Sequence, residues 1–322
     1  MIRSYVNENH RLICRQDEVK PDPNALWLDL LSPEEDNIRT VEALSGVDLP
    51  SREEREEIEV SSRVYTEDGA LFMTALLPAQ ADTDRPIMSP VSFILAGGRI
   101  VTIRDHEPRA FETFARRAER TPIGCTTGEE VFVNLLDAVI DRLADVLERV
   151  AREIDELSRG IFDEGRAGRR GRTYRPVLQE IGRKGDFTSN IRESLVTLER
   201  VVSFVSAHAR ADPAFKTHRD AVRSLASDIQ SLTDHADSLS QKINFLLDAT
   251  LGLISIAQNG IMATFSVVAV VFLPPTLVAS IYGMNFEVMP ELSWPWGYPM
   301  ALGIMLASAV LPYVWFKRKG WL

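Results

Sequence analysis

Few residues in this sequence could bind a transition metal or build a disulfide framework. The chain contains two cysteines, Cys14 and Cys125, which lie far apart, and five histidines, none of which pairs with another at the spacing of metal ligands. Neither a disulfide-stabilised secreted domain nor a zinc site made of Cys and His is therefore indicated. An anchored metal-dependent hydrolase would also need clustered ligands, so we do not expect an enzyme.

The sequence also lacks signals for nucleotide binding and export. No Gly-x-x-x-x-Gly-Lys-Ser/Thr motif occurs, so ATP-driven pumping is not expected. The first residues, Met1 to Glu8, lack the apolar core of a signal peptide, and we expect the large N-terminal part to stay in the cytoplasm. The net charge of −10 disfavours nucleic acid as a partner and suits a domain that meets cations.

Charged residues are missing from two stretches near the C-terminal end. Positions 249–286 contain 38 residues without Asp, Glu, Lys or Arg, and positions 298–316 contain 19 more. A transmembrane helix needs about 20 apolar residues, and a charge at mid-bilayer costs about 2.5–3.5 kcal/mol. We therefore predict a transmembrane hairpin in the lipid bilayer, with spans at about 261–282 and 298–316. Two buried core helices of a soluble protein are the less favoured alternative.

The charges that flank these spans predict the orientation of the hairpin. A basic tail, 317–322, follows the second span and contains Lys317, Arg318 and Lys319. Because positive residues concentrate on the cytoplasmic side, we expect both termini inside the cell and the connecting loop 283–297 outside. The charges of that loop are Glu287 and Glu291, which would attract cations.

Patterns of period two and then 3.6 predict the organisation of the remaining chain. Short β-type runs fill the first hundred residues, with a helix expected to begin at Ser32 as N-cap and Pro33. After these runs come long stretches in which apolar residues recur at the heptad spacings of three and four, as in amphipathic helices. We predict an α+β fold: a cytoplasmic domain over 1–125 in which helices flank a mixed sheet, a helical hairpin and long stalk helix over 126–258, and a transmembrane domain over 259–322.

The tip of the helical hairpin, 165–172, is rich in Gly and Arg. A solvated loop is the simpler interpretation, because the glycines break any helical face. Contact with an anionic lipid or with nucleic acid is the alternative.

The stalk helix has a further regular pattern of residues, a stripe on the face opposite its apolar heptad positions. Small and polar residues alternate there with single large apolar ones at spacings of three and four. If several copies met around an axis, this stripe would line a pore with constrictions at Met262 and Leu273. Small residues at such spacing also let transmembrane helices pack without a pore, and the spacing alone does not decide between the two. The members of the stripe in the membrane are Asn259, Met262, Ser266, Ala269, Leu273, Thr276 and Ser280.

Three motifs resemble the bacterial branch of the CorA family of magnesium transporters. They are Tyr282-Gly-Met-Asn-Phe-Glu-Val-Met-Pro-Glu-Leu292, Trp296-Gly-Tyr-Pro299 and the terminal Phe316-Lys-Arg-Lys-Gly-Trp-Leu322. The resemblance implies a homopentamer in the cell inner membrane whose first membrane helices line the conduction path. It implies passage of hydrated Mg²⁺, and also of Co²⁺ and Ni²⁺, down the electrochemical gradient, with closure by cytoplasmic Mg²⁺.

The resemblance also assigns roles to residues. Gly283, Met284 and Asn285 correspond to the selectivity filter, and Asp248 corresponds to a regulatory divalent-metal site between subunits. Asn259, Met262, Leu273 and Thr276 match positions on the conduction path. The chain departs from the family pattern at two places, so the resemblance does not predict the size of the constriction or the bend of the helix. Family members often have Met where this chain has Leu273, and usually one proline where it has Pro274 and Pro275. The arm tip, commonly acidic in the family, is basic here.

Two other functions remain as alternatives. The zinc-transporting branch of the same superfamily is the nearest, although it usually lacks the Met of Gly-Met-Asn. A membrane-tethered coiled-coil scaffold would explain the heptads and the spans, but it would not explain the polar stripe or the acidic outer loop.

Overall fold

The computed structural model describes residues 1–15, 21–57, 59–83, 86–122, 125–166, 174–209, 217–285 and 289–319. The chain divides into two compact units, Met1–Leu246 and Leu247–Leu322. The predicted arm tip, 165–172, falls mostly outside the described residues. The boundaries predicted at 125/126 and 258/259 stay predictions.

A seven-stranded mixed sheet forms the centre of the N-terminal unit. Its order is β2-β1-β3-β7-β6-β5-β4. Strands β3 and β7 run parallel, and the other pairings between the described strands are antiparallel. The strands are β1 Ile2–Glu8, β2 Arg11–Arg15, β3 Trp27–Leu31, β4 Val64–Glu67, β5 Ala70–Ala79, β6 Ile87–Ala96 and β7 Arg99–Arg104.

Three short helices lie between β3 and β4, and the first begins later than predicted. They are α1 Glu35–Ser45, α2 Arg52–Glu56 and α3 Val60–Arg63. The N-cap of α1 is Glu34, whose side chain and that of Asn37 form a capping box. Ser32 is not the N-cap because it adopts a left-handed φ of 42° and donates its N–H to the Arg104 carbonyl at 2.8 Å.

The two faces of the sheet have different covers. Leu28, Leu30 and Ile94 belong to an apolar core that packs with Val41 of α1. Because strand side chains alternate between faces, Trp27 points to the opposite side. There it packs on the rings of Phe111 and Phe114 in α4 Arg109–Arg120, at centroid distances of 6.1 and 5.6 Å.

Helix α5, Gly128–Arg166, starts in direct contact with β7. The Gly128 N–H donates to the Gly98 carbonyl at 2.8 Å. A Cβ atom at Gly128 would lie 2.4 Å from the carbonyl carbon of Arg99, so any side chain there would have to displace the strand. Glycine at this position therefore sets how closely the long helix approaches the sheet.

Three long helices complete the N-terminal unit, and their apolar seams follow the predicted heptads. Helix α6 spans Arg175–His208, and α7 spans Arg219–Tyr282 over 64 residues. Lys242 of α7 forms an ion pair with Asp155 of α5, and Asp237 of α7 pairs with Arg192 of α6 at 2.5 Å. The buried seam residues include Leu136, Leu143, Leu147, Ile154, Leu195, Leu198, Val202, Leu225, Ile229, Leu239 and Ile243.

A buried ion pair joins the two parallel strands. Arg104 donates from Nε and Nη2 to the two carboxylate oxygens of Asp29, at 2.9 and 2.7 Å, and both side chains are at most 2% exposed. Thr102 donates to the same carboxylate at 2.8 Å and accepts from the Trp27 indole at 2.9 Å. All these polar groups are satisfied, which is what makes such a buried pair tolerable.

We predict that Arg104→Met strongly destabilises the protein. The substitution leaves the Asp29 carboxylate buried without its cation, which typically costs about 3–5 kcal/mol. Urea unfolding of the full chain in detergent, followed by far-UV circular dichroism, measures the loss. Arg39→Met is the control, because Arg39 pairs with Glu35 at 3.4 Å on the exposed surface, where a pair contributes about 0–1 kcal/mol. Equal effects of the two substitutions would contradict the prediction.

Candidate functional site

Two helices of the C-terminal unit are long and apolar enough to cross a membrane. They are α7, which continues into this unit from Leu247, and α8, Gly297–Arg318. Their most apolar windows have mean hydropathies of 2.2 and 1.6, and only 6% and 11% of the residues in these windows are buried in the chain. Core helices of a soluble protein would be covered instead. Such exposed apolar surface indicates contact with lipid or with other membrane helices.

Side chains of the two helices meet around one cavity in this unit. Val270 of α7 and Leu311, Val314 and Trp315 of α8 line one common cavity. Exposed rings, Trp294, Trp296 and Tyr298, gather around the start of α8. Aromatic side chains of this kind concentrate where a span meets the polar head groups, so their position agrees with a hairpin whose second span begins here.

The predicted stripe lies along one exposed face of α7. From Asn259 to Ser280 the helix rises about 30 Å, close to the thickness of the hydrocarbon core. Met262 and Leu273 are 65% and 66% exposed, and side chains on other faces, such as Phe265 and Phe272, are as exposed as the stripe. The whole stripe is therefore free in the single chain to face an axis shared with other copies. Its exposed members are Asn259, Met262, Ser266, Ala269, Leu273, Thr276 and Ser280.

Two hydroxyl groups of the stripe donate back to their own helix. Ser266 Oγ donates to the Met262 carbonyl at 2.9 Å, and Thr276 Oγ1 donates to the Phe272 carbonyl at 2.8 Å. A hydroxyl has one hydrogen to donate and two lone pairs that accept. Because the hydrogen is used within the helix, each oxygen presents lone pairs away from it. The stripe therefore offers hydrogen-bond acceptors, which suit the water molecules around a cation.

The two prolines do not end the helix. Helix α7 continues through Pro274 and Pro275, although neither residue has an N–H to donate to the carbonyls of Val270 and Val271. The Thr276 hydroxyl supplies one extra bond to the neighbouring Phe272 carbonyl. This bond does not replace the two that are lost, because the carbonyls left without a helical donor are those of Val270 and Val271.

The Gly-Met-Asn motif forms the turn that ends α7. The Gly283 N–H donates to the Ala279 carbonyl at 3.0 Å, and the Met284 N–H donates to the Ile281 carbonyl at 3.3 Å. A Cβ atom at Gly283 would lie 3.1 Å from the Ala279 oxygen, so glycine permits this close turn. Gly283, Met284 and Asn285 are all exposed at the end of the stripe.

The predicted acidic loop and basic tail are only partly described. Glu287 lies outside the described residues, and Glu291 is placed by its backbone in the 3₁₀ helix Pro290–Ser293. Lys317 and Arg318 are exposed in the last turn of α8, where cations complement the helix dipole. Lys319 Nζ lies 4.9 Å from the centre of the Trp315 ring.

Asp248 lies exposed on α7, away from any group of metal ligands in its own chain. Among the described residues, no three or more His, Cys, Asp or Glu side chains are arranged to hold a metal ion. The sequence did not identify a second acid for the regulatory site, and the role of Asp248 stays a prediction.

Comparison with known proteins identifies the family. The family model described as CorA-like Mg2+ transporter protein matches residues 23–318. The chain belongs to the CorA family. Its relatives include the magnesium transport protein CorA of Pasteurella multocida (strain Pm70), 38% identical over 323 aligned positions, and that of Escherichia coli (strain K12), 37% identical. Both alignments cover 100% of each chain.

Solved structures confirm the predicted CorA fold. The complete structure of the CorA magnesium transporter from Methanocaldococcus jannaschii matches with a TM-score of 0.80 at 19% identity, covering 100% of this chain and 99% of that one. Full-length CmaX matches with a TM-score of 0.66 at 16% identity, covering 98% and 96%. The shared architecture is a mixed sheet with helices, a long helix and a C-terminal apolar helix.

We predict that Ser280 faces water and that Val278, two residues away on the other side of α7, does not. In a chain whose own cysteines are replaced by alanine, Ser280→Cys should react at least about tenfold faster with a charged methanethiosulfonate than Val278→Cys. The reason is that the reactive thiolate forms in water and is suppressed in apolar surroundings. Mass spectrometry of proteoliposomes measures both rates. Equal rates would show that the stripe is not an aqueous surface.

Proposed function

We propose that this CorA-family protein is a homopentameric, channel-like magnesium transporter of the cell inner membrane. The observation that carries the proposal is the exposed polar stripe on α7, which ends at Gly283, Met284 and Asn285. Full-length relatives named magnesium transport protein CorA support magnesium as the substrate. Five copies of α7 around one axis would place five stripes along a common path. The hairpin would keep both termini in the cytoplasm.

The chemistry of Mg²⁺ explains why the filter would consist of an amide and not of charged ligands. Magnesium loses its water reluctantly and usually keeps several waters when bound. A ring of Asn285 side-chain oxygens would accept hydrogen bonds from the water on the ion and leave its coordination intact. Gly283 adds no side chain at the mouth, and Asn259 would repeat the amide ring at the inner end.

The path between the two amide rings combines acceptors with apolar constrictions. Ser266 and Thr276 direct lone pairs away from α7, because their hydrogens bond to the helix. Met262 and Leu273 would form apolar rings that close the path by excluding water. The same features would admit hydrated Co²⁺ and Ni²⁺, whose water molecules offer the same donors.

The membrane potential is a sufficient driving force for import. Moving one elementary charge across the membrane gains about 2.3 kcal/mol per 100 mV, and a divalent ion gains twice this free energy. Glu287 and Glu291 in the outer loop would raise the concentration of cations at the entrance. Such transport breaks no covalent bond, and the CorA family is one of ion transporters and not of catalytic enzymes.

Closure by cytoplasmic Mg²⁺ is the proposed regulation. Asp248 would bind the regulatory ion together with a carboxylate of the neighbouring subunit, and the bound ion would hold the subunits together. Oxygen ligands from carboxylates are the type that Mg²⁺ prefers. Loss of the ion at low internal magnesium would release the subunits and open the path.

Zinc transport and a coiled-coil scaffold remain the competing functions. The Met of Gly-Met-Asn and the full-length relatives favour magnesium over zinc. The exposed acceptor groups along α7 would have no use in a scaffold that is merely anchored. Zinc transport coupled to a proton gradient, or no transport at all, would distinguish these two alternatives.

We predict that Asn285→Ala abolishes magnesium uptake into liposomes that hold the purified protein under an inside-negative potential. The substitution removes every acceptor oxygen of the amide ring while leaving the turn at Gly283 in place. Uptake is followed with a magnesium-sensitive dye inside the vesicles. Ser293→Ala is the control, since the Ser293 hydroxyl donates to the Pro290 carbonyl in the same loop, and it should keep full uptake.

Each outcome of this experiment bears on the proposal. Uptake by the unaltered protein and by Ser293→Ala, but not by Asn285→Ala, supports both the path and its filter. Uptake that survives in Asn285→Ala removes the filter from the proposal. If the unaltered protein transports zinc with a proton gradient and no magnesium, the zinc alternative replaces it.

We predict that Asp248→Asn makes transport less sensitive to internal magnesium. The amide is a weaker ligand than the carboxylate, so a higher internal concentration is needed for closure. The measurement is the uptake rate at several internal magnesium concentrations. Asp234→Asn is the matched control, because Asp234 is an exposed acid on the same helix that accepts from Gln230 at 3.0 Å. An unchanged inhibition curve for Asp248→Asn would exclude this residue from regulation.

A further inference from the structure

A cavity of about 180 Å³ lies in the N-terminal unit between the sheet and α4. Its floor comes from β1, β2 and β3, and its roof comes from one side of α4. The register explains why polar side chains meet here: Arg3 lies opposite Asp29, and Tyr5 lies opposite both Trp27 and Cys14. All of them point to the same face of the sheet, because strand side chains alternate.

The side chains in the floor of the cavity contact one another closely. The rings of Tyr5 and Trp27 stack at a centroid distance of 4.1 Å with planes 14° apart. Asp29 and Arg104 are locked by two hydrogen bonds at the bottom. The roof has a small residue, Ala115, among longer side chains of α4, which leaves the space beneath it. A site with a preformed shape of this kind does not have to be ordered by its ligand.

One buried polar atom on the wall lacks a partner. Arg3 Nε is buried and forms no hydrogen bond with the described residues. Its Nη2 contacts Glu107 at 3.3 Å, and the Glu107 side chain is 65% exposed, so this pair is weak. A buried donor without an acceptor is unfavourable. Nε is closed off even from a water-sized molecule, so a carboxylate in the cavity would accept from the terminal nitrogens of the same guanidinium.

The remaining charges favour a ligand that also carries a positive group. Three acids and three arginines line the cavity. Asp29 neutralises Arg104 at 2.7 Å, and Glu112 pairs with Arg116 at 3.1 Å. Glu119, on the rim, forms no ion pair with the described residues. A simple anion would add a charge beside these acids, whereas a zwitterion would place its carboxylate at Arg3 and its ammonium group at Glu119.

We propose that this cavity binds a small zwitterion, a free amino acid with a short side chain, through Arg3 and Glu119. The volume agrees with this class, because sites for drug-sized molecules have about 300–1,000 Å³. Such a site is separate from the conduction path and from Asp248. It would make the N-terminal unit a receptor for a metabolite in addition to a support for the membrane helices.

Cys14 provides a reporter for occupancy of the cavity. It lines the cavity and is half-buried, and its thiol interacts with the Tyr5 hydroxyl. Burial raises its pKa, and the fully buried Cys125 has a pKa raised further, to about 12, so Cys125 should stay unreactive. A ligand in the cavity would block access to the Cys14 sulfur.

The test measures alkylation of Cys14 by iodoacetamide in the full-length protein, with L-serine as the probe. Saturating serine should slow alkylation about tenfold, since occupancy at about ten times the Kd leaves one site in eleven free. Acetate and ethylammonium, each carrying one of the two charges, should protect far less at the same concentration. Mass spectrometry of the Cys14 peptide gives the rate.

Two variants and a control complete the experiment. Arg3→Met removes the carboxylate partner, and Ala115→Leu fills the cavity, so serine should protect neither variant. Arg39→Met, on the exposed surface of α1, should be protected like the unaltered protein. Thermal unfolding of each variant confirms that it is folded. No protection by serine, equal protection by acetate, or undiminished protection in either cavity variant would overturn the proposal.

Discussion

The exclusion of charge and of unpaired backbone groups from lipid is the constraint on which the C-terminal unit depends. It keeps positions 249–286 and 298–316 free of charged residues and favours the helices α7, up to Tyr282, and α8 within them. It also explains why the hydroxyls of Ser266 and Thr276 bond to carbonyls of their own helix. Polar residues can then lie on a membrane helix without an unsatisfied donor, and their acceptor lone pairs remain available for hydrated ions.

Helix α7 has different surroundings in the two units. In the N-terminal unit its apolar seam, which includes Ile229 and Ile243, is buried against α5 and α6, and ion pairs such as that of Asp237 with Arg192 fix it there. Within the membrane segment the stripe from Asn259 to Ser280 stays exposed in the single chain. Such an exposed segment is suited to assembly, because neighbouring copies can cover what its own chain leaves open.

The N-terminal unit contains a cavity beneath α4 that is lined by polar and charged side chains. The floor of the cavity is formed by the Asp29–Arg104 ion pair and by the stacked rings of Tyr5 and Trp27. The wall and the rim of the cavity carry the charged side chains of Arg3 and Glu119. The proposed ligand site therefore lies in the N-terminal unit, whereas the proposed conduction path follows α7 in the C-terminal unit. The fold is shared with the Methanocaldococcus jannaschii transporter at 19% identity.

The sequence by itself determined the features that depend on local periodicity and on charge. Uncharged runs predicted the two spans, heptads predicted α5, α6 and α7, and Gly283-Met284-Asn285 indicated the family, because each signal lies within one continuous stretch. Only the tertiary structure decided the strand order, the parallel pairing of β3 with β7 and the meeting of Asp29 with Arg104, which are 75 residues apart. Single-sequence patterns contain no information on which distant strands pair, because pairing depends on packing over the whole sheet. For the same reason the predicted start of α1 at Ser32 was wrong. The Ser32 N–H donates to the Arg104 carbonyl, and local capping rules do not take such a long-range contact into account.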